Sequence, residues 1–330
     1  MRKVPLGRSG LEVSRLGFGC MGLAEFYGDP LSNAEAEKIL EAALEQGVNF
    51  FDTADMYGSG RNEEQLSGFL KKHRDDVVLA TKFAIQRGDD GGWLGLSNDP
   101  EYIKASCDAS LKRLGVDVID LYYMHRRDRE VPIEESVGAM ADLVKAGKVR
   151  ALGLSEVSVD TLKKANAVHP IAAVQSEYSI VTRDMEAEFI PACRDLGVAF
   201  VAYSPLGRGL LTGAFRSEKD FSETDYRMVM SPRFADGALE KNLSLVDQIS
   251  IIAKTKDAAP GQIALAWLLS KGDDIIPIPG TKILSRLAEN LGALEVKLTD
   301  EDIAAIEKAV PPDAVVGARY PETTSSSLNG

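Results

Sequence analysis

The chain has 330 residues, of which 45% are hydrophobic and 27% charged, and its formal net charge is −12. This acidic balance argues against nucleic acid or an anionic membrane surface as the main partner, while leaving room for a local cationic pocket. The three cysteines, Cys20, Cys107 and Cys193, form no CxxC pair and no cluster with metal-ligand spacing, so reduced thiols, no metal and a cytoplasmic location are expected.

The opening stretch, Lys3 to Ser14, has a Gly/Ser turn at its centre and predicts a short hairpin. No apolar leader stands at Met1-Arg2-Lys3-Val4-Pro5, and no apolar run approaches the length of a membrane span. Gly17-Phe18-Gly19-Cys20-Met21-Gly22 matches a G-x-G-x-x-G string. The residues that follow carry two turn formers and no helical period, so this is not read as a dinucleotide fingerprint. The glycines are read instead as loop residues that let backbone approach a ligand.

Helix and strand signals then alternate. Helix Asn33–Gln46 precedes a strand over 48–51, helix Asn62–Lys72 a strand over 77–81, and helix Glu101–Leu114 a strand over 118–124. Helix Ile133–Ala146 precedes a strand over 151–154, helix Val159–Ala167 one over 172–175, and helix Met185–Leu196 one over 198–202. A longer insertion runs from Leu206 to about Leu239. Helices near 241–256 and 261–271, a strand over 275–278 and helix Leu284–Leu291 come next. A last short strand, Glu295–Leu298, and helix Glu301–Ala309 precede a tail that reads as loop from about Pro311. Eight units with near-continuous apolar strands predict a closed (β/α)8 TIM barrel behind an N-terminal β-hairpin, one domain over residues 1–330.

Catalytic groups of such barrels collect at the C-terminal ends of the strands. Asp52, Lys82 and His125 close three consecutive runs, and Tyr57 lies on the loop after the first. Taken singly, Asp52 reads as a turn cap, Lys82 as a solvated lysine and Tyr57 as a loop tyrosine. Together, an acid, a phenol, an ammonium and an imidazole can move a proton onto a carbonyl oxygen.

The blocks Phe51-Asp52-Thr53-Ala54-Asp55-Met56-Tyr57-Gly58, Ala80-Thr81-Lys82 and Leu121-Tyr122-Tyr123-Met124-His125 resemble those of the aldo-keto reductase family. The likeness is closest to the bacterial, plant and fungal branch whose cofactor loop ends in Pro-Gly-Thr. It implies a reductase that takes NADPH/NADP+ and a small-molecule carbonyl substrate. Tyr57 would be the general acid, its pKa brought down by Lys82; Asp52 would neutralise Lys82 and His125 would orient the carbonyl.

The resemblance also implies a cofactor site. Ser155 and Gln175 match positions that bind the nicotinamide carboxamide, and Tyr203 the residue that stacks under the ring. Ser204, Pro205, Leu206 and Gly209 offer backbone and room for the pyrophosphate. Gly280, Thr281 and Lys282 lead into a helix where Arg286 could grip a 2′-phosphate and where Glu289 and Asn290 match the adenine pair. Gly19, Cys20, Met21 and Asp52 are placed beside the cofactor. One departure stands out: the family often has Asn where this chain has Glu156. A carboxylate cannot donate as an amide does, so either Glu156 turns away or Ser155 and Gln175 hold the ring.

Met21, Phe26, Tyr27, Phe83 and Trp93, with part of the insertion, are expected to wall an apolar substrate site. The loop 86–98, rich in Gly and Asp, is expected to be mobile. Nothing in the sequence forces assembly beyond a monomer or weak homo-oligomer. Two other readings remain: a cofactor-binding sensor with little turnover, and a lyase or aldolase using Lys82 as a Schiff base.

Overall fold

Strands that are apolar on both faces must be covered on both sides, and a closed parallel sheet wrapped by helices does this. The computed structural model describes residues 1–88, 90–221, 225–235 and 237–322. Its strands in chain order are β1 (Lys3–Pro5), β2 (Glu12–Ser14), β3 (Phe18–Gly19), β4 (Phe50–Asp52), β5 (Val78–Phe83) and β6 (Ile85–Arg87). They continue with β7 (Trp93–Leu96), β8 (Ile119–Met124), β9 (Val149–Ser155), β10 (Ile171–Glu177), β11 (Ala199–Tyr203) and β12 (Ile275–Pro277). β1 and β2 pair antiparallel with Val4 opposite Val13, which is the expected hairpin.

Eight strands form one sheet in the order β12-β11-β10-β9-β8-β5-β4-β3. Its two ends meet: the Gly17 N–H donates to the Pro277 carbonyl at 2.9 Å, and the Gly19 N–H to Pro279 at 3.3 Å. These bonds close the sheet into a (β/α)8 barrel. Strand alternation then sorts the side chains. Val78, Ala80, Leu121 and Tyr123 point into the barrel, where Val4, Leu6 and Val13 of the hairpin join them. Leu79, Phe83 and Tyr122 point outward against the helices. No helix among the described residues is long and apolar enough to cross a membrane.

Local signals set the helices. Ser32 and Glu35 form a capping box ahead of helix Asn33–Glu45. Asp99 caps helix Pro100–Leu114, which stops at left-handed Gly115.

Four elements differ from the sequence reading. The eighth barrel strand is β3, not a strand over Glu295–Leu298; that stretch begins as a 3-10 turn, Ala293–Glu295. Gly17 and Gly19 of the Gly17–Gly22 string serve close packing at the seam of the barrel. A Cβ on Gly19 would lie 2.8 Å from the Ile278 carbonyl oxygen, and one on Gly280 would lie 2.3 Å from that of Gly19. The stretch read as a mobile loop, 86–98, lies largely in an antiparallel hairpin of β6 and β7. The helix read over Met185–Leu196 is a 3-10 turn, Asp184–Glu186, followed by helix Phe189–Leu196. The insertion holds a 3-10 stretch, Gly207–Thr212, and a short helix, Tyr226–Met230, with residues 222–224 and 236 outside the described residues.

Two glycine substitutions separate packing from propensity. Gly280→Ala drives a Cβ into backbone that closes the barrel and is expected to lose about 1–3 kcal/mol in chemical denaturation. Gly138→Ala, in helix Ile133–Lys145 with open space around it, is expected to gain about 0.5–1 kcal/mol.

Candidate active site

β4 and β5 are adjacent and in register, Asp52 opposite Ala80, so Lys82 lies two residues further on the same inward face. An ammonium there is wholly buried and needs an anion. Asp52 Oδ1 supplies it in direct contact. Lys82 also donates to the Thr53 carbonyl at 2.9 Å and reaches the Tyr57 hydroxyl at 3.4 Å. Across the barrel, Gln175 Nε2 donates to Asp52 Oδ2 at 2.8 Å. His125, at the end of β8, sets its ring edge-on to Tyr57 with centroids 5.8 Å apart. All four predicted catalytic side chains meet at the barrel mouth.

Burial opposes the Lys82 charge, but Asp52 and Tyr57 outweigh it and hold its pKa above the ordinary lysine value. Burial pushes the Tyr57 phenol up, and Lys82 pulls it only part of the way back. The expected net lowering of Tyr57 is therefore not found, because desolvation exceeds the ammonium's effect. Burial, then Arg126 and Lys82, hold His125 well below the usual histidine range, so the ring is neutral. Its buried Nδ1 has no hydrogen-bond partner among the described residues.

The Tyr57 loop is tied down from outside. Thr53 donates to Asn62 at 2.6 Å, and Asn62 donates to the Cys20 carbonyl at 3.0 Å. Glu25 accepts from the Gly58 N–H at 2.7 Å and from Arg87 of β6 at 2.8 Å.

The predicted cofactor residues line one side of the mouth with mixed outcomes. Ser155 ends β9, with its hydroxyl 3.2 Å from Arg126 Nη1. Gln175 spends its amide N–H on Asp52. Tyr203 ends β11, and its hydroxyl lies 3.0 Å from that of Tyr320. The loop Ser204-Pro205-Leu206-Gly207-Arg208-Gly209 has left-handed backbone at Ser204 and at three successive residues, Gly207, Arg208 and Gly209. The Gly207 and Gly209 amides of this run are taken by the Ser204 and Leu206 carbonyls at 2.8 and 3.1 Å. Gly280 and Thr281 follow β12. Lys282 donates to the carbonyls of Tyr27 and Asp29, joining that loop to the N-terminal one. Arg286 and Glu289 are exposed on helix Leu284–Gly292, while Asn290 is buried in it. This donor set fits an anionic dinucleotide.

Cys20 offers the ligand little of its own. Its thiol is wholly buried, and its N–H and carbonyl are already engaged with Asp52 and Asn62. Phe83 is a correction: strand parity turns it outward, where it stacks on Tyr122 at 5.0 Å, so it does not wall a substrate site. Trp93 lies 59% exposed on β7, away from the tetrad's buried layer. Met21 is half-buried at the start of the short helix Met21–Ala24. Phe26 meets Tyr226 edge-on at 4.9 Å, and Tyr27 lies under the Arg227 guanidinium at 5.2 Å.

Glu156 turns away, as one of the two alternatives required. It is wholly buried, accepts from the Glu177 N–H at 3.0 Å and takes both Arg319 Nη atoms at 3.3 Å. The sequence reading missed this partner because the tail was taken for loop; residues 323–330 of it lie outside the described residues. Arg208 was missed as well. It pairs with Glu177 at 3.1 Å, donates to the Arg319 carbonyl at 2.9 Å and covers the Tyr320 ring at 4.5 Å. Lone cations in cofactor loops were the available signal for Arg208; none pointed to Arg319 or Tyr320.

Fold and site together define the class as a (β/α)8 barrel with a buried ionisable tetrad at the C-terminal ends of its strands. Residues 15–311 match the model of the Aldo/keto reductase family, and the chain belongs to that family. It is 46% identical over 322 residues to "Probable aldo-keto reductase 1" of Glycine max, covering 97% of this chain and 92% of that protein. It is 47% identical to "Aldo-keto reductase yakc [NADP(+)]" of Schizosaccharomyces pombe, covering 96% and 94%. Among solved structures, the glycerol dehydrogenase AKR11B4 from Gluconobacter oxydans superposes with a TM-score of 0.83 at 27% identity, covering 92% of this chain and 94% of that one. The holo form of AKR11C1 from Bacillus halodurans gives 0.78 at 30% identity, covering 94% and 97%.

The Glu156–Arg319 pair is expected to be costly to break from one side. Arg319→Met should lose about 3–5 kcal/mol in urea unfolding by stranding a buried carboxylate. Adding Glu156→Gln should restore most of that, and a double variant as unstable as the single one contradicts the pairing. A second expectation concerns pH. The folded protein resists protonating His125 while the unfolded chain binds a proton below about pH 6.5. Stability should therefore fall as pH drops from about 6.5 toward the depressed folded value, by up to roughly 1.4 kcal/mol per pH unit. His125→Gln should flatten that part of the stability–pH curve.

Proposed function

We propose that the protein reduces aldehydes or ketones to alcohols with NADPH, Tyr57 acting as general acid. The observation that carries this reading is the contact set around Lys82: Asp52, Thr53, Tyr57 and, through Asp52, Gln175. The dinucleotide, when bound, supplies hydride to the carbonyl carbon. The chain's own residues manage the oxygen.

Tyr57 is protonated at neutral pH because burial keeps its pKa above the ordinary phenol value, so it is ready to donate. Lys82 beside it stabilises the charge that remains as the proton leaves. Asp52 keeps Lys82 charged, and Gln175 keeps Asp52 in place. Neutral His125 donates a hydrogen bond to the same carbonyl oxygen and fixes its direction. The dryness of the layer strengthens each of these interactions.

Ser155, Tyr203 and the 204–209 loop would hold the nicotinamide half of the dinucleotide, and the start of helix Leu284–Gly292 its far end. Arg286 is exposed there and has no ion pair among the described residues, which suits a 2′-phosphate. The NADP(+) in the name of the fission-yeast relative agrees with this preference. We read the chain as one barrel domain working in the cytoplasm as a monomer or weak homo-oligomer.

Tyr57→Phe tests the reading. NADPH oxidation in the presence of a carbonyl panel is followed at 340 nm, and NADPH binding by cofactor fluorescence. Turnover is expected to fall about 10²–10⁴-fold with binding retained. A variant that keeps full turnover overturns Tyr57 as the acid. A borohydride-trapped adduct on Lys82 would replace the reductase reading with a Schiff-base one.

A further inference from the structure

Four carboxylates around the mouth are each matched by a cation. Asp52 holds Lys82, Glu156 holds Arg319, Glu177 holds Arg208 and Arg233, and Asp225 holds Arg227. Arg126 is the exception. It follows His125 directly, is part-buried, and has no carboxylate within ion-pair distance among the described residues. Its Nη1 donates to the His125 carbonyl at 2.7 Å and to the Ser155 hydroxyl at 3.2 Å. Those two bonds fix the guanidinium plane. The Nε and Nη2 donors, which form the side-on edge of the fork, donate to no described residue. Burial opposes the Arg126 charge and Glu156 favours it, but Glu156 is already taken by Arg319.

A half-buried guanidinium, held at Nη1 and free at Nε and Nη2, is arranged to take a planar anion in bidentate fashion. It does so beside the acid and the imidazole that meet the carbonyl oxygen. Aromatic rings stand at the same mouth: Tyr57 against His125, the Tyr203 hydroxyl beside that of Tyr320, and Phe26 on Tyr226.

We infer that the substrates of this site are carbonyl compounds bearing their own carboxylate, and that Arg126 is the specificity-determining residue that binds it. The inference rests on the carbonyl-reductase reading and names its substrate class. The carboxylate supplies the charge that Arg126 lacks within the protein, and binding it turns the carbonyl end toward Tyr57 and His125. A neutral carbonyl compound seated against Arg126 would displace water from the guanidinium without pairing it, so the site discriminates against it.

The experiment compares 2-, 3- and 4-carboxybenzaldehyde with their methyl esters, using the full chain and NADPH. For at least one isomer, kcat/KM of the acid should exceed that of its ester by about tenfold or more, as for a hydrogen bond to a charged group. In Arg126→Met that ratio should fall at least tenfold, and Arg126→Lys, which keeps the charge without the fork, should lie between. Benzoate binding to the NADPH-loaded protein, measured by calorimetry, reads the anion site without turnover and should weaken at least tenfold in Arg126→Met. If Arg126→Met does not fold, Arg126→Lys and Arg126→Gln carry the same comparison.

Acid-to-ester ratios near one that neither variant changes overturn the inference and leave the reductase standing. So does a tenfold loss of NADPH affinity in Arg126→Met with the ratio unmoved, which assigns Arg126 to the cofactor. Wild-type protein that reduces none of the six aldehydes overturns the reductase reading itself, and equal benzoate affinity in wild type and variant then removes the anion site too.

Discussion

The buried charge of Lys82 is the constraint on which the site depends. An ammonium with no exposure is tolerable only if its partners are in place before any ligand arrives. Those partners come from three places in the barrel. Asp52 is on the neighbouring strand, the Thr53 carbonyl lies just beyond it, and Gln175 reaches Asp52 from the other side of the lumen. Only a closed barrel brings β4, β5 and β10 within reach of one another at the same height. The Asp52–Ala80 register makes the pairing possible, since a slip of one residue would turn either Lys82 or Asp52 out among the helices. Barrel closure and the charge pair thus support each other: the two bonds from Gly17 and Gly19 to the end of β12 hold the ring that the ion pair needs.

A loop residue can be as well placed as a strand residue when its loop is tied at both sides. Tyr57 owes its position to contacts that involve none of the catalytic atoms. Asn62 and Thr53 tie the start of the loop to Cys20. Glu63 accepts from Thr81 at 2.6 Å and from Arg113 at 2.6 Å, anchoring helix Arg61–His73 to β5 and to the next helix. Glu25 and Arg87 grip the loop's far end. A phenol positioned in this way loses little freedom on meeting a carbonyl, which is the condition for efficient proton donation.

How much of this was legible in the sequence follows from the range of each interaction. Strand ends were readable because apolar runs and their closing polar residues are local, and so Asp52, Lys82 and His125 were found with Tyr57 on its loop. β3 was not, because a two-residue strand flanked by glycines carries no periodicity. What makes it a strand is the closeness of Ile278 and Gly280, which only the closed ring supplies. Phe83 was misplaced by parity alone: it neighbours Lys82 in the chain and faces the opposite layer. Arg319 and Tyr320 could not be found, since their partners lie more than a hundred residues away, at Glu156, Tyr203 and Arg208. The direction of the Tyr57 shift failed for a related reason. A neighbouring ammonium is visible in sequence, whereas the dryness that outweighs it belongs to the packed barrel.

Glu156 joins two features that looked separate. As a carboxylate in place of an amide it cannot serve the ligand's acceptor, and burial makes an unpaired charge there untenable. Its answer is Arg319, drawn in from the tail. Once Arg319 is seated, its carbonyl accepts from Arg208, and Tyr320 beside it falls between Arg208 and the Tyr203 hydroxyl. The carboxylate just beyond β9 is thus joined to a docked tail, a second aromatic ring at the mouth and, together with Glu177, a fixed Arg208. Held by Arg319, Glu156 is not left to neutralise Arg126. In a chain whose overall charge is −12, Arg126 thus stands at the mouth with no ion pair among the described residues.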